Sequence, residues 1–288
     1  MSAAALLSEE RPPGAAQSAS LLAPVRVTGG VTIAFASGPR GTYAARFSEA
    51  DGYRVRFPRG GIGAEAVLLN TGGGVAGGDQ VSFDITAEAA SSATVTTQSA
   101  ERIYRALGPG PARLSVRLTV GEDARLTWLP QGSILFSGAR VSRAIEADVA
   151  PRGRLLMTEI LVFGRKAMGE TVTAGAFADR WRIRRGGRLA YADNVKLDGP
   201  IAALMSRGAI ADGARVIGTI LMIAADAEDK LAGVREALGA SQIRIAASAW
   251  NGMLAVRCLG HDSEAVHRAV ASVVPVLTGS RMPRVWAT

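Results

Sequence analysis

The sequence predicts a mainly β protein, its antiparallel sheets stacked or wound in a sandwich-like arrangement, with a small α+β carboxy-terminal part carrying two helices. Three observations predict this. Short runs of apolar and polar residues alternate at period two along the first two hundred positions. Gly, Pro and Asp punctuate those runs at short intervals, as turns between short strands require. After about Pro200 the texture changes, and two helical patterns appear among strand-like runs.

Taken in order, residues 1–20 are rich in Ala, Ser, Pro and Gly and read as a mobile tail. Residues 21–200 read as a β-rich body. Within it, residues 31–35, 81–86, 114–120, 126–128 and 145–149 alternate as strands with one buried face, and a further strand lies around Tyr191. Residues 160–163, all apolar, read as a buried strand. Arg54 and Arg56 alternate with Tyr53, Val55 and Phe57, as Arg182 and Arg184 do with Trp181 and Ile183. The pair Gly186-Gly187 suits a two-residue hairpin tip. Residues 201–288 read as an α+β subdomain packed on the body. Here 216–223, 243–247 and 252–258 are strand-like, and 227–238 and 263–277 are helical. Asp262 is placed to cap the second helix and Gly279 to end it.

Composition bounds the function. A chain of 288 residues, 48% hydrophobic and 20% charged, buries one substantial core or two modest ones. The single cysteine, Cys258, forbids an internal disulfide and suits a reducing, cytoplasmic setting. The start lacks a basic, apolar leader, and the apolar runs fall far short of the roughly 20 residues that cross a bilayer, so neither export nor a membrane is expected.

Residues 71–80 contain five glycines, Gly72, Gly73, Gly74, Gly77 and Gly78, followed by Asp79. The spacing matches the dinucleotide fingerprint, but that motif needs a helix after it, and residues 81–86 alternate as a strand. The phosphate-loop reading also fails, because Gly78 and Asp79 stand where a lysine and a hydroxyl are required. The loop therefore reads as a structural turn joining strand to strand.

The net charge of +8 comes from 33 basic residues, of which only Lys166, Lys196 and Lys230 are lysine. One dense patch stands out: Arg180, Arg182, Arg184, Arg185 and Arg188. Its aromatic neighbours fall on the apolar phase, unlike the exposed rings of RNA-binding sheets, so an acidic protein surface suits it better than nucleic acid.

Catalytic groups are sparse. His261 and His267 are the only histidines and no G-x-S-x-G elbow occurs, so a hydrolase is not expected. Cys258, His261 and His267 lie within ten positions and form a candidate soft-metal set; one core cysteine with two surface histidines is the alternative. Asp79 and Glu170 each close a glycine-rich turn and are candidate oxygen ligands for weak cation contacts. Alternatively Asp79 bonds local amides and Glu170 pairs with Arg165 or Lys166.

Five segments in order resemble the urease accessory protein family UreD, also called UreH. They are the glycine loop, Thr96-Thr97-Gln98 leading to Tyr104-Arg105, Leu129-Pro130-Gln131 with Gly138-Ala139-Arg140, Gly164-Arg165-Lys166-Ala167-Met168-Gly169-Glu170, and Pro283-Arg284-Val285-Trp286. The chain departs from that pattern at Gly132-Ser133, Ser99 and Glu101-Arg102. The resemblance implies a non-catalytic scaffold in urease maturation that docks on apo-urease, binds UreF and meets the GTPase UreG through it. It also implies a passage for nickel with Asp79, Glu170, Thr97 and Ser99 as wall residues, transient nickel and no tightly bound cofactor. The rival reading is a stand-alone binder of an anionic ligand or nucleic acid through the arginine patch.

Overall fold

A computed structural model describes residues 26–58, 63–165, 168–239 and 241–287. The tail expected at 1–20 and the Lys166 considered as a partner for Glu170 lie outside the described residues.

The first sheet has seven strands. They are β1 (Thr28–Gly38), β2 (Gly41–Ala50), β5 (Gln80–Ala87), β8 (Ala112–Val120), β11 (Arg140–Val149), β13 (Gly175–Arg185) and β14 (Arg188–Gly199), in the order β14-β13-β11-β8-β5-β1-β2. The second has ten: β3 (Tyr53–Arg56), β4 (Ala64–Asn70), β6 (Ser92–Thr97), β7 (Glu101–Ile103), β9 (Arg125–Leu129), β10 (Ser133–Leu135), β12 (Arg154–Phe163), β15 (Val216–Ile223), β16 (Arg244–Trp250) and β17 (Met253–Gly260). Its main path runs β16-β17-β15-β12-β9-β6-β4-β3.

Mainly β, stacked and wound sheets are what the alternation predicted, but strand direction differs at the centre. From β4 to β13 the chain crosses from one sheet to the other at each long strand, so neighbours within a sheet are one coil apart and run the same way. The pairs β5–β8, β8–β11 and β11–β13 are parallel, as are β4–β6, β6–β9 and β9–β12. Antiparallel pairing is kept at the margins, in β1–β2, β3–β4 and β13–β14 and along β12–β15–β17–β16. Period-two alternation is the same for both directions, so it does not distinguish them.

Register explains the core. Val31, Phe83, Val116, Ile145 and Trp181 form one row across the first sheet. Ala66, Val95, Trp128, Met157 and Leu221 form one across the second. All ten are buried and belong to the cluster between the sheets, where Phe83 meets Trp128 at 5.8 Å.

The short α1 (Ile201–Met205) follows β14; α2 (Leu231–Leu238) follows a 3₁₀ turn, and α3 (Ser263–Thr278) lies near the carboxy terminus. The outer face of the second sheet is covered by two of these helices, α2 and α3, while Ile201 and Met205 of α1 join the cluster between the sheets. On α3, Val266, Val270, Val273 and Leu277 repeat at helical spacing and are buried against Ile160, Ile220 and Val256. Each such burial stabilises by about 1.5–3 kcal/mol. Asp262 caps α3 by accepting from Glu264 N, and Gly279 ends it in the left-handed conformation at φ 68°. Strands β15 and β17 extend the same second sheet rather than building another. Among the described residues no helix is long and apolar enough to cross a membrane.

The coil has unequal edges. Crossings from the first sheet to the second are the tight turns 88–91, 121–124 and 150–153. Crossings from the second to the first are the longer segments 71–79, 98–111, 130–139 and 164–174. Four of the five motif segments singled out in the sequence fall on this long-loop edge.

Candidate functional site

The long loops are laced together along that edge. In the glycine loop, Val75 N donates to Arg102 O at 2.8 Å and Val75 O accepts from Tyr104 N at 2.8 Å. Tyr104 Oη reaches Gly73 O at 3.0 Å. Gly74 is required here: at φ 152°, a Cβ would sit 2.4 Å from the Tyr104 ring and 2.7 Å from Arg102 O. β10 bridges β7 and the end of β12 by parallel pairing. Tyr104 then packs edge-on against Phe136 at 5.0 Å, and the Arg165 guanidinium lies 4.1 Å over the Phe136 ring. Chain segments distant in sequence thus form one continuous surface.

A second junction lies on the outer side. Thr97 Oγ1 accepts from Gln131 N, and Gln131 Nε2 donates to Val285 O at 2.7 Å. Trp286 Nε1 donates to Thr96 Oγ1 at 3.0 Å, and the His267 ring stacks on Trp286 at 4.2 Å while its Nε2 meets Gln131 Oε1 at 3.1 Å. Burial holds His267 below the usual histidine range. The Thr-Thr-Gln, Leu-Pro-Gln and terminal Trp segments are therefore one packing unit.

Behind the long-loop edge, between the sheets, lies a cavity of about 70 Å³ whose lining includes Thr97, Ser99, Glu101, Arg143 and Glu159. That is room for a few water-sized molecules. Two polar groups face it, the first half-buried and the second buried. In the first, Glu101 accepts from Asn70 Nδ2 at 2.8 Å and Tyr53 Oη at 3.1 Å. Burial pushes the Glu101 carboxyl up although these bonds lower it, and burial followed by the Glu101 charge pushes the Tyr53 phenol up. In the second, Arg143 grips Asp179 with a two-pronged pair at 2.9 and 2.6 Å and also binds Glu159. Trp181 Nε1 donates to Asp179 at 2.9 Å. Burial, and then the Asp179 charge, push Glu159 up to about 7 against the pull of Arg143. Burial alone would lower Arg143, but its two carboxylates outweigh that and leave it raised. A fully ionised cluster would carry one negative charge in excess. A proton on Glu159, or a cation in the cavity, balances it.

None of Tyr53, Asn70, Glu101, Arg143, Glu159 and Asp179 was a candidate from the sequence. The available signal was charge on an apolar phase. Arg143 sits between Val141 and Ile145, Asp179 between Phe177 and Trp181, and Glu159 interrupts the apolar run of β12.

The four expected wall residues divide. Thr97 and Ser99 line the cavity; Thr97 Oγ1 also donates to Ser99 O at 3.0 Å. Asp79 lies in the glycine loop, buried, with Oδ1 taken by Val27 N at 3.0 Å and Oδ2 by Ala76 N at 2.7 Å. Glu170 sits at the far end of the long-loop edge, bound by Arg165 Nε at 2.8 Å and Ser137 N at 3.2 Å, which lowers its carboxyl. Both carboxylates take the local bonding that was the alternative reading for them.

Cys258 is fully buried between β17 and α3, and burial pushes its thiol up to about 12. His261 is exposed and His267 is engaged as above. Among the described residues no three His, Cys, Asp or Glu side chains gather to hold a metal. In the arginine patch, Arg180 pairs with Glu146 at 2.9 Å, Arg182 binds Trp181 O, and Arg185 binds Pro151 O. Arg184 and Arg188 point outward from the hairpin and make no ion pair among the described residues. Gly186 and Gly187 form its tip, at φ 55° and 76°.

Residues 27–287 match the family described as UreD urease accessory protein. The chain belongs to the UreD family. A similar protein is "Urease accessory protein UreD 1" of Methylobacterium radiotolerans, 48% identical over 249 residues, which cover 85% of this chain and 86% of that one. Another is "Urease accessory protein UreD" of Rhodopseudomonas palustris (strain BisB18), 42% identical over 246 residues, 85% of this chain and 88% of the relative. A third UreD protein, from Xanthobacter autotrophicus, is 44% identical over 241 residues, 84% of this chain and 83% of the relative. The family match thus takes in both sheets, the covering helices and every motif segment of this UreD chain.

Proposed function

We propose that this chain is a non-catalytic scaffold in urease maturation, the process to which the names of its relatives point. It docks on apo-urease, binds UreF, meets UreG through UreF and conveys nickel as cargo in the cytoplasm. The observation that best supports this reading is the cavity behind the long-loop edge. There the hydroxyl-bearing residues Thr97 and Ser99 lie beside two carboxyls, Glu101 and Glu159, both pushed up by burial. Burial that disfavours the charged carboxylate, together with the donors already on Glu101 and Glu159, leaves each a weak ligand for a divalent ion. Weak sites in series let an ion move on, whereas a tight site would trap it. No catalytic constellation is part of this reading: the histidines are spent on packing or exposed, and the thiol is inert by burial.

The experiment is co-expression of the chain with urease subunits, UreF and UreG, followed by affinity capture and measurement of urease nickel content. Capture of urease and UreF is expected. A Glu101→Gln, Glu159→Gln double variant should still capture both while delivering clearly less nickel. Normal nickel loading by that variant defeats the passage, and failure of the wild-type chain to capture either partner defeats the scaffold.

A further inference from the structure

The outer face of the second sheet, opposite the cavity, carries a cleft of about 360 Å³ between β4, β6, β9 and β12 on one side and the segment after α3 on the other. Register places Ser92, Arg125 and Arg154 in one row across β6, β9 and β12, with Thr94, Thr127 and Leu156 in the next outward row. Like charges directly opposite one another on a sheet face are destabilising unless answered. Arg154 is answered by Asp226 at 2.7 Å. Arg125 has no ion pair among the described residues. Arg281 and Arg284, both exposed, line the other wall and likewise make none. One carboxylate, Glu65 of β4 opposite Thr94, lines the cleft against these arginines, and its floor is the buried Leu129, Leu156, Met222 and Leu277 with the partly exposed Met282 beside them.

We propose that this cleft docks an acidic, amphipathic segment of a partner polypeptide, with its carboxylates against Arg125, Arg281 and Arg284 and its apolar side chains on the floor. Charge complementarity selects the acidic partner. A cleft of this volume, with arginines on both walls, suits a polypeptide segment better than a small inorganic anion, which would leave most of it empty. The proposal goes beyond the nickel-scaffold reading and does not depend on it, because cleft and cavity lie on opposite faces of the sheet.

The test is fluorescence anisotropy on the full-length chain with a labelled peptide of alternating Glu and Leu pairs, beside a counterpart carrying Gln at every Glu. The acidic probe is expected to bind about tenfold more tightly than the Gln counterpart and to weaken as salt rises. Arg281→Gln with Arg284→Gln should weaken it about tenfold, as should Thr127→Trp, which fills the cleft without changing charge. Arg184→Gln with Arg188→Gln removes the same charge elsewhere and should leave binding unchanged. Thermal melts establish that each variant is folded. Absence of binding, equal loss in the hairpin control, indifference to Thr127→Trp, or displacement of the probe by inorganic phosphate at low millimolar concentration would each overturn the proposal, the last in favour of a small-anion site.

Discussion

Replacing Arg143 with methionine strands two carboxylates between the sheets. Asp179 and Glu159 each keep only 6% of their side-chain surface in water, so solvent cannot replace the guanidinium. Removing one partner from a buried ion pair costs about 3–5 kcal/mol, because the charge left behind stays desolvated. For a chain of this length that corresponds to a melting temperature lower by roughly 6–20 °C. The two acidic-side variants should not be equal. Asp179→Asn breaks the two-pronged pair and weakens the acceptor for Trp181 Nε1, and should cost about 3 kcal/mol. Glu159→Gln removes a carboxyl whose charged form burial already disfavours, and Asp179 still neutralises Arg143, so its cost should be about 1 kcal/mol. Urea and thermal unfolding followed by tryptophan fluorescence measures all three, with Trp181 reporting from inside the cluster. A loss under about 1 kcal/mol for Arg143→Met, or Glu159→Gln proving as damaging as Asp179→Asn, would refute the argument.

Other expectations follow from single features. Glu159 is raised from an ordinary 4.5 to about 7, so its contribution to stability is fully present below about pH 4.5 and is lost as pH rises through 7. Melts at pH 5.5 and 8 should therefore show a smaller decline in Glu159→Gln than in the unaltered chain, and an identical decline would exclude the assignment. Gly74→Ala places a methyl against the Tyr104 ring and the Arg102 carbonyl and should cost about 1–3 kcal/mol, with faster proteolysis within 71–79. Asp262→Ala should cost about 1 kcal/mol through loss of the α3 cap, with Asp262→Asn restoring most of it in the same thermal melt.

Much of the fold was legible where local rules dominate. Residues 81–86, 114–120 and 216–223 lie within β5, β8 and β15 because alternation or a continuous apolar run depends only on which face is buried. The second helix, its Asp262 cap and its Gly279 stop were legible because capping acts within one turn. The hairpin at Gly186-Gly187 follows from positive φ, which glycine adopts freely. The parallel winding was not legible, since it depends on which sheet a strand joins after each turn, and side-chain alternation is blind to that. Nor were Glu101 and Glu159: Glu101 lies beside an unremarkable loop, and Glu159 looks like an interruption until Arg143 and Asp179 are brought opposite it.

The sequence by itself determined many of the strands, the two longer helices, the glycine-rich turn that joins strand to strand, and the family the chain resembles. These rest on the chemistry of neighbouring residues. Only the tertiary structure decided that four separated motifs share one edge, that the cysteine and histidines are parted, and that three charges from β11, β12 and β13 meet out of water. A buried charge is tolerable only when its partner arrives from elsewhere in the chain, and that arrival is set by the winding of the sheets.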